Sequence, residues 1–370
     1  ASVKHSATAS RRSVALAEQT TSIAGQGGAI VANAVDAMAR IEQSSGKIAE
    51  IKALRIPSGP YAGGYELAPN GGLNWYFANL GLIAIVPMLG AADLQSHVLP
   101  YLNLYLANVN AATSTIADIE LPYGRANTSV FKKVASDSDD SYAATFLSLA
   151  TRYVVTSGNW AWWESNKAAL KNMAYRNLAL TAKPSGLTSV FQSPRSQSNS
   201  SGYLMDNCEG YRGLRDFAAL LRSRSELHEA NYYDLLASNT AEGVSRFLFK
   251  APAQAFLSSD AAPALTADFY PGTTCQVYPQ AFGLRELAGQ FTAGWNYFNT
   301  HTPGWETGSH DPFPWAILGY VAALRGQTGL ASAQLATIDK LFAANRRLVT
   351  INELGFYQRT KSVLSGNLSA

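Results

Sequence analysis

Apolar residues recur at helical spacing along most of the chain. One such stripe, which would bury one face of a helix over 140–157, consists of Ala143, Phe146, Leu147, Ala150 and Val154. The same spacing predicts helices near 74–90, 93–109, 140–157, 160–181, 207–224, 227–248, 281–299, 312–325 and 331–348. Strand patterns are scarce, with short candidates at 186–191 and 350–357. The sequence therefore predicts an all-α protein.

The links between these helices alternate in length. Long links at 57–73, 110–139, 182–206 and 258–280 are separated by links of a few residues. Short links join helices into antiparallel hairpins, and consecutive hairpins in a ring form an (α/α) toroid whose long loops gather at one end. A helical solenoid is the alternative, but no fixed repeat period is present. We predict an (α/α) toroid over 56–370, either incomplete or completed to (α/α)6 by the amino-terminal helix.

The first 55 residues follow a different pattern. Small and apolar residues recur at steps of three and four from Ala24 to Ile48, which predicts a long amphipathic helix with a heptad seam. A resemblance to one arm of the signalling hairpin of bacterial methyl-accepting chemotaxis proteins covers residues 13–51 and is strongest in AVDAMARIEQSSGKIAEI. It implies helix-mediated self-association, although the hairpin tip and returning arm of that family are missing. Residues 1–55 are thus a predicted stalk, a helix packed on the main domain, or a fusion segment.

Composition and charge exclude several function classes. The 370 residues carry a formal net charge of +3 and no Lys/Arg run exceeds two, so nucleic acid is not expected as a partner. No apolar run reaches the ~18 residues that a membrane span needs. Phosphate-binding glycine loops, a GxSxG elbow and specific zinc patterns are missing, so we expect no nucleotide, metal ion or other cofactor.

Cysteines and the start of the chain say little about the compartment. Cys208 and Cys275 form neither a disulfide framework nor a metal motif, and their pairing stays open. The chain begins at Ala1 rather than Met, which a removed leader and a trimmed terminus both explain. The compartment is therefore open, with a secreted or periplasmic protein as the expectation.

Acidic residues are few, and several stand in long loops or at the start of the helix that follows. They are Glu66, the trio Asp137, Asp139 and Asp140, the pair Asp206 and Glu209, and the pair Glu306 and Asp311. In a toroid of hairpins these positions share one end of the ring. Acids at helix starts also cap free N–H groups and favour the helix dipole, so each has a structural alternative. Three acids within four residues are more than helix capping needs. Crowded carboxylates raise one another's pKa, which prepares a carboxyl group for general acid or base catalysis.

The run ASDSDDSYA over 135–143 is similar to the signature of the family 8 glycoside hydrolases. Those enzymes are (α/α)6 toroids that cleave β-1,4-linked glucans, xylans and chitosans. The matching positions are Ala135, Ser136, Asp137, Asp139 and Ala143, whereas Ser138 and Tyr142 depart from the signature. The resemblance implies that Asp137 lies in a catalytic cleft. It also implies a general acid in an earlier loop, where Glu66 stands without the family's surrounding run.

Aromatic and polar side chains near these acids are candidates for holding a sugar. Loop tryptophans offer flat stacking surfaces and polar neighbours offer hydrogen bonds, while core packing is the alternative for each aromatic residue. The candidates for substrate binding are Tyr65, Trp75, Tyr142, Asp206, Tyr211, Trp305, His310, Asp311 and Trp315.

Together these features predict a glycoside hydrolase that acts on a polysaccharide or oligosaccharide with two carboxyl groups. Glu66 or Glu209 would be the acid, and Asp137 or Asp139 would be the base or another cleft residue. Two alternatives stay open. One is a non-enzymatic glycan-binding or assembly module, in which the acids only cap helices. The other is a polysaccharide lyase on the same fold, with functional residues from among His301, His310, Tyr278 and Arg125.

Overall fold

The computed structural model describes residues 46–193 and 199–367. The chain divides into two compact units, Ala1–Ala49 and Glu50–Ala370. Most of the predicted amphipathic helix of 1–55, including nearly all of the chemotaxis-like segment 13–51, lies outside the described residues. The domain boundary at 55 and the helix-mediated self-association therefore stay predictions.

The second unit begins inside a helix whose described part covers 46–53. Ile51 of this helix is fully buried. On either side of it, Glu50 pairs with Arg346 at 3.3 Å and Lys52 pairs with Asp93 at 2.7 Å. The residues from Glu50 onward are thus an integral part of the second unit.

The toroid is built from helices that alternate between an inner and an outer layer. In chain order they are α1 (Trp75–Ile85), α2 (Leu99–Asn108), α3 (Asp140–Ser157), α4 (Trp160–Ala174), α5 (Leu204–Ser223), α6 (Leu227–Gly243), α7 (Tyr278–Ala281), α8 (Phe291–His301), α9 (Ile317–Leu324), α10 (Thr328–Ala344) and α11 (Ile351–Leu364). The odd-numbered helices form the inner ring, in which each contacts the next and α11 contacts α1. The prediction of an all-α toroid is confirmed.

Inner and outer helices differ in how much of their surface is buried. Nearly every residue of α3 and α11 is buried, whereas α10 in the outer layer buries only Ala331, Gln334 and Ile338. Nearly every face of α11 lies against other helices or the ring axis, so this helix has no solvent-facing stripe and only weak amphipathic periodicity.

This lack of periodicity explains the main error of the sequence analysis. The short strand expected at 350–357 is wrong, because these residues form the start of helix α11. Its buried polar residues, among them Asn352, Glu353 and Arg359, interrupt the apolar pattern from which a helix would have been recognised. The strand candidate at 186–191 is also wrong, since that segment contributes only an isolated bridge between Ala182 and Thr188.

The loops of the described residues contain two short antiparallel β-ribbons. β1 (Ala117–Glu120) pairs with β2 (Lys132–Ala135), with Ala117 opposite Ala135, and β3 (Phe249–Lys250) pairs with β4 (Ala255–Phe256). The first ribbon lies in the long link before α3 and leads directly into residues 136–139. It thereby places the predicted acidic trio at the amino-terminal end of α3. No helix in the described part of the chain has the length and apolar character to cross a bilayer.

Two glycines allow the ring to close between α1 and α11. A Cβ atom at Gly81 would lie 2.6 Å from Cγ1 and 2.8 Å from the carbonyl oxygen of Ile351, and one at Gly355 would lie 2.9 Å from Cα of Gly81. Gly81→Ala is therefore expected to lower the free energy of unfolding by ~1–3 kcal/mol through overpacking. Chemical denaturation measures this loss.

The matched control is Gly329→Ala in the outer helix α10, where a Cβ atom meets nothing within 4 Å. Because alanine favours a helix over glycine, this variant is expected to be as stable as the parent or more stable. Equal stability of Gly81→Ala and the parent protein would show that the close approach of α1 and α11 is not needed for ring closure.

Candidate active site

A cavity of about 550 Å³ opens at one end of the inner ring. Every inner helix contributes a residue from its first turn, and these residues are Tyr76, Ser141, Asp206, Tyr278, Ile317 and Glu353. The amino-terminal ends of the inner helices therefore meet around one space. Its volume lies within the range of small-ligand sites, which is roughly 300–1,000 Å³.

Glu209 lies one turn further along α5 and is 2% exposed. Its Oε1 accepts a hydrogen bond of 2.5 Å from the Tyr76 hydroxyl, while its buried Oε2 has no hydrogen-bond partner among the described residues. Burial raises the pKa of Glu209 to about 8, against the lowering effect of the Tyr76 hydrogen bond. At neutral pH this carboxyl group is therefore mainly protonated.

Glu353 is the acidic residue of the cavity that the sequence analysis missed. It stands in the first turn of α11, where Oε2 accepts a hydrogen bond from the Ala316 backbone N–H and Oε1 accepts one of 3.1 Å from Asn352. Burial raises its pKa to about 7, although the hydrogen bond from Ala316 acts in the opposite direction. In the order of inner helices α11 is three places from α5, so the two glutamates belong to opposite sides of the ring.

Asp137 and Asp206 line the same cavity. Asp137 reaches solvent at the mouth, and partial enclosure raises its pKa. The pKa of Asp206 is raised well above its usual range, first by burial and then by the charges of Asp140 and Glu209. The cavity thus holds four carboxyl groups with raised pKa values.

The other members of the predicted acidic set have structural contacts. Asp139 is buried beside the cavity, where its Oδ2 accepts a hydrogen bond of 3.0 Å from the Gln192 backbone. Asp140 is fully buried and accepts hydrogen bonds from the Thr188 hydroxyl and the Ser141 backbone. Both carboxylates therefore hold the start of α3 and the loop near residue 190.

Glu66 does not line the cavity, although its neighbour Leu67 does. Its carboxylate is fully buried and pairs with Nε of Arg125 at 2.9 Å. The same guanidinium donates to the backbone oxygens of Ala53 and Arg55. Glu66 thus ties the loop that contains Arg125 to the end of the amino-terminal helix.

Most of the predicted sugar-binding aromatic residues are core residues. Tyr65 and Trp75 pack against Tyr101, and the Trp75 indole donates to the Ala117 backbone oxygen at 2.8 Å. Tyr211 and Trp305 contact residues that do not line the cavity. The Tyr211 hydroxyl donates to Glu286 at 2.8 Å, and the Trp305 indole donates to Asn299 at 3.1 Å. None of these four residues lines the cavity.

Tyr142, His310 and Asp311 lie next to residues of the cavity. Tyr142 stacks on Tyr76 at 5.8 Å and donates a hydrogen bond of 2.6 Å to Asp118, whose pKa burial raises to about 6. His310 and Asp311 are in the loop before α9. There the His310 ring stacks on Phe269, and Asp311 accepts a hydrogen bond of 2.8 Å from the Phe313 backbone.

Three aromatic residues, Tyr270, Phe313 and Trp315, form a rim at the mouth, and Trp315 alone is among the predicted sugar-binding residues. Trp315 lies 5.2 Å from Tyr270, which is 58% exposed, and Phe313 beside them is 45% exposed. All three line the cavity, together with Tyr203 and Tyr278. The loop sequence HTPGWETGSHDPFPW over 301–315 contains Phe313 and Trp315 of this rim, but no sequence pattern distinguishes them from Trp305 in the core.

The described residues contain no group of three or more His, Cys, Asp or Glu side chains arranged to hold a metal ion. Cys208 and Cys275 are both buried free thiols. The chemistry that the cavity offers is therefore that of carboxyl groups, tyrosine hydroxyls and aromatic faces.

Comparisons with known proteins agree with this architecture. No family model and no curated protein matches the chain. Solved structures do: a wild-type glycosidase matches with a TM-score of 0.59 at 14% identity, covering 89% of this chain and 98% of that chain. A glutamate-to-alanine glycosidase variant reaches a TM-score of 0.60, and another such variant in complex with glucose reaches 0.58, with the same identity and coverage. The chain thus has a glycosidase-like toroid fold.

Proposed function

We propose that this protein is a glycoside hydrolase that uses Glu209 and Glu353 as its two carboxyl groups. The observation that carries the proposal is their placement on opposite sides of one aromatic-rimmed cavity, with pKa values raised to about 8 and about 7. Cleavage of a glycosidic bond requires two carboxyl groups that flank it, one to protonate the leaving oxygen and one to act as a carboxylate. Groups with perturbed pKa values in a cleft are candidates for such work.

The two glutamates differ in the roles that suit them. Glu209 has the higher pKa and an Oε2 atom without a partner, so it is the proposed acid that donates a proton to the leaving-group oxygen. Glu353 is held by two hydrogen bonds that favour its ionised form, so it supplies the carboxylate. Asp137, at the mouth and ahead of α3, is proposed to bind sugar hydroxyls or the attacking water.

The proposed substrate is a polysaccharide or oligosaccharide. The rim of Tyr270, Phe313 and Trp315 offers flat faces for sugar rings. A similar glycosidase was solved with glucose, which supports a glucose-containing chain. We further propose that the ring is a six-hairpin toroid, in which the helix ending at residue 53 is the outer partner that follows α11 around the ring.

The residues suggested for a lyase are not gathered in the same way. Tyr278 lines the cavity, but Arg125 is paired with Glu66, and neither His301 nor His310 lines the cavity. A lyase needs a base and a cation beside the same uronate. The hydrolase is therefore the function that the site supports.

The test is release of reducing ends from soluble β-glucans, xylan, chitosan and polyuronates. Wild type is compared with the double variant Glu209→Gln/Glu353→Gln and with Glu164→Gln, an exposed acid on the outer helix α4. Activity in wild type and Glu164→Gln that is absent from the double variant supports the proposal. Binding without release on every substrate would instead favour a glycan-binding module, and an unsaturated product would favour a lyase.

The pH dependence of kcat/KM is expected to be bell-shaped with a maximum between pH 7 and 8. Activity falls at lower pH as Glu353, with a pKa of about 7, becomes protonated, and at higher pH as Glu209, with a pKa of about 8, loses its proton. Tyr76→Phe removes a hydrogen bond that favours the ionised form of Glu209, so it should move the alkaline limb to higher pH. Tyr232→Phe, at an exposed site on α6, is the control.

An alkaline limb that stays in place or moves to lower pH in Tyr76→Phe would contradict the assignment of this limb to Glu209. The position of the limb is the readout, because Tyr76 also lines the cavity and its loss can change the rate itself.

A further inference from the structure

A second cavity, of about 340 Å³, adjoins the first at Glu209. It lies inside the ring on the carboxyl-terminal side of Glu209. Three arginines from three different inner helices line it: Arg152 of α3, Arg212 of α5 and Arg359 of α11. Neither the proposed acid nor the aromatic rim accounts for this concentration of positive charge.

The three arginines have few acidic side chains to pair with. Asp216 is the acid between two of them: its carboxylate contacts Arg212, lies 3.6 Å from Nε of Arg152, and accepts a hydrogen bond of 2.5 Å from Ser148. Arg359 is 6% exposed and stacks on the Tyr320 ring at 4.8 Å. In all three arginines Nε is buried and has no hydrogen-bond partner within the described residues.

Such a cluster is costly unless a counter-anion is present. Buried charges of like sign repel, and a buried donor without a partner loses its hydration without compensation. Burial and the neighbouring Arg359 and Arg212 lower the pKa of Arg152 to about 10, although Asp216 opposes this effect. The Glu209 carboxyl group, mainly protonated at neutral pH, does not supply the missing charge.

Helix ends do not explain the cluster either. Basic residues are favoured in the last turn of a helix, where they oppose the partial negative charge of the free carbonyl groups. None of the three arginines is in the last turn of its helix. They are mid-helix residues that converge on the inside of the ring.

We propose that this arginine-lined cavity binds an inorganic oxyanion of the phosphate or sulfate type. Guanidinium groups bind tetrahedral oxyanions through paired N–H donors, which favours an oxyanion over a spherical halide. The Arg212 side chain is 39% exposed, so the cavity is reachable from solvent. Anion binding here does not depend on the proposed hydrolase function.

The test is calorimetric titration of the full chain with sodium phosphate at pH 7, with sodium chloride of the same ionic strength as the reference. One phosphate per chain is expected to bind, together with an upward shift of Tm that chloride does not produce. Arg359→Gln should weaken phosphate binding by roughly 10–100-fold, because it removes charge-assisted hydrogen bonds. Arg212→Gln, at a partly exposed position, should act in the same direction and serves if Arg359→Gln does not fold.

The matched control is Arg222→Gln, on the same helix α5 but paired with Asp234 at the surface. It should bind phosphate like the parent protein. Absence of phosphate binding, equal effects of phosphate and chloride, or unchanged affinity in both Arg359→Gln and Arg212→Gln would each overturn the proposal.

Discussion

Glu209→Gln is expected to lower kcat on natural glycans by roughly 10²–10⁴-fold, the usual contribution of a general acid. The glutamine keeps the shape of the side chain and can still accept the Tyr76 hydrogen bond, but it has no carboxyl proton to give to the leaving oxygen. Steady-state kinetics on the best substrate of the glycan panel measures the loss.

Aryl glycosides with an acidic phenol as leaving group distinguish the role of Glu209. Such a leaving group departs without protonation, so Glu209→Gln should cleave its bond at a rate much closer to that of the parent. A loss of equal size on glycans and activated aryl glycosides would contradict the assignment of Glu209 as the acid.

Folding of this variant is checked by thermal unfolding against pH. The native pKa of Glu209 is raised to about 8, above its ordinary value, so its contribution to stability is present at low pH and is lost as pH rises through about 8. Glutamine carries no charge to bury. At pH 9 Glu209→Gln should therefore unfold at the same temperature as the parent or at a higher one.

Glu353→Gln is expected to lower kcat by roughly 10²–10⁴-fold as well, with no recovery on activated aryl glycosides. The carboxylate is needed whatever the leaving group, because it acts on the sugar carbon or on the attacking water. One side-chain oxygen remains in the glutamine to accept the Ala316 hydrogen bond, so the start of α11 should keep its structure.

Glu66→Gln provides a contrast for the Glu353 result. It removes a buried carboxylate outside the cavity, so its expected effect is a loss of stability through the unpaired Arg125 rather than a selective loss of kcat. Full activity of Glu353→Gln, or a selective loss of kcat in Glu66→Gln, would move the second catalytic carboxylate away from α11.

The two glutamates differ in how far the sequence predicts their place in the site. Glu209 follows a recognisable helix start and has aromatic neighbours in the chain, so it was among the predicted residues. Glu353 is hidden because the pattern of its segment predicts a strand, and because no second acid stands beside it in the sequence. Its position in the cavity follows from the closure of α11 onto α1, a contact between segments more than 260 residues apart.

The aromatic candidates show the same limit. Trp75, Trp305 and Trp315 are the loop tryptophans that the sequence predicts to contact sugar. Trp75 and Trp305 are 0% and 3% exposed, whereas Trp315 lines the cavity. Local sequence carries no information on whether a tryptophan at a helix start faces the axis or the layer behind it.

Local spacing was sufficient for the helical class, for most helix positions and for the alternation of long and short links. These features depend on residues within one or two turns of each other, and they already imply hairpins with acids gathered at one end. Which residues line the cavity depended on the assembled ring, because closure of the ring selects the first-turn side chains that face the axis. Closure of the ring placed Glu353 opposite Glu209 and gathered three arginines on the carboxyl-terminal side of Glu209. It left Glu66 in an ion pair with Arg125, outside the cavity lining.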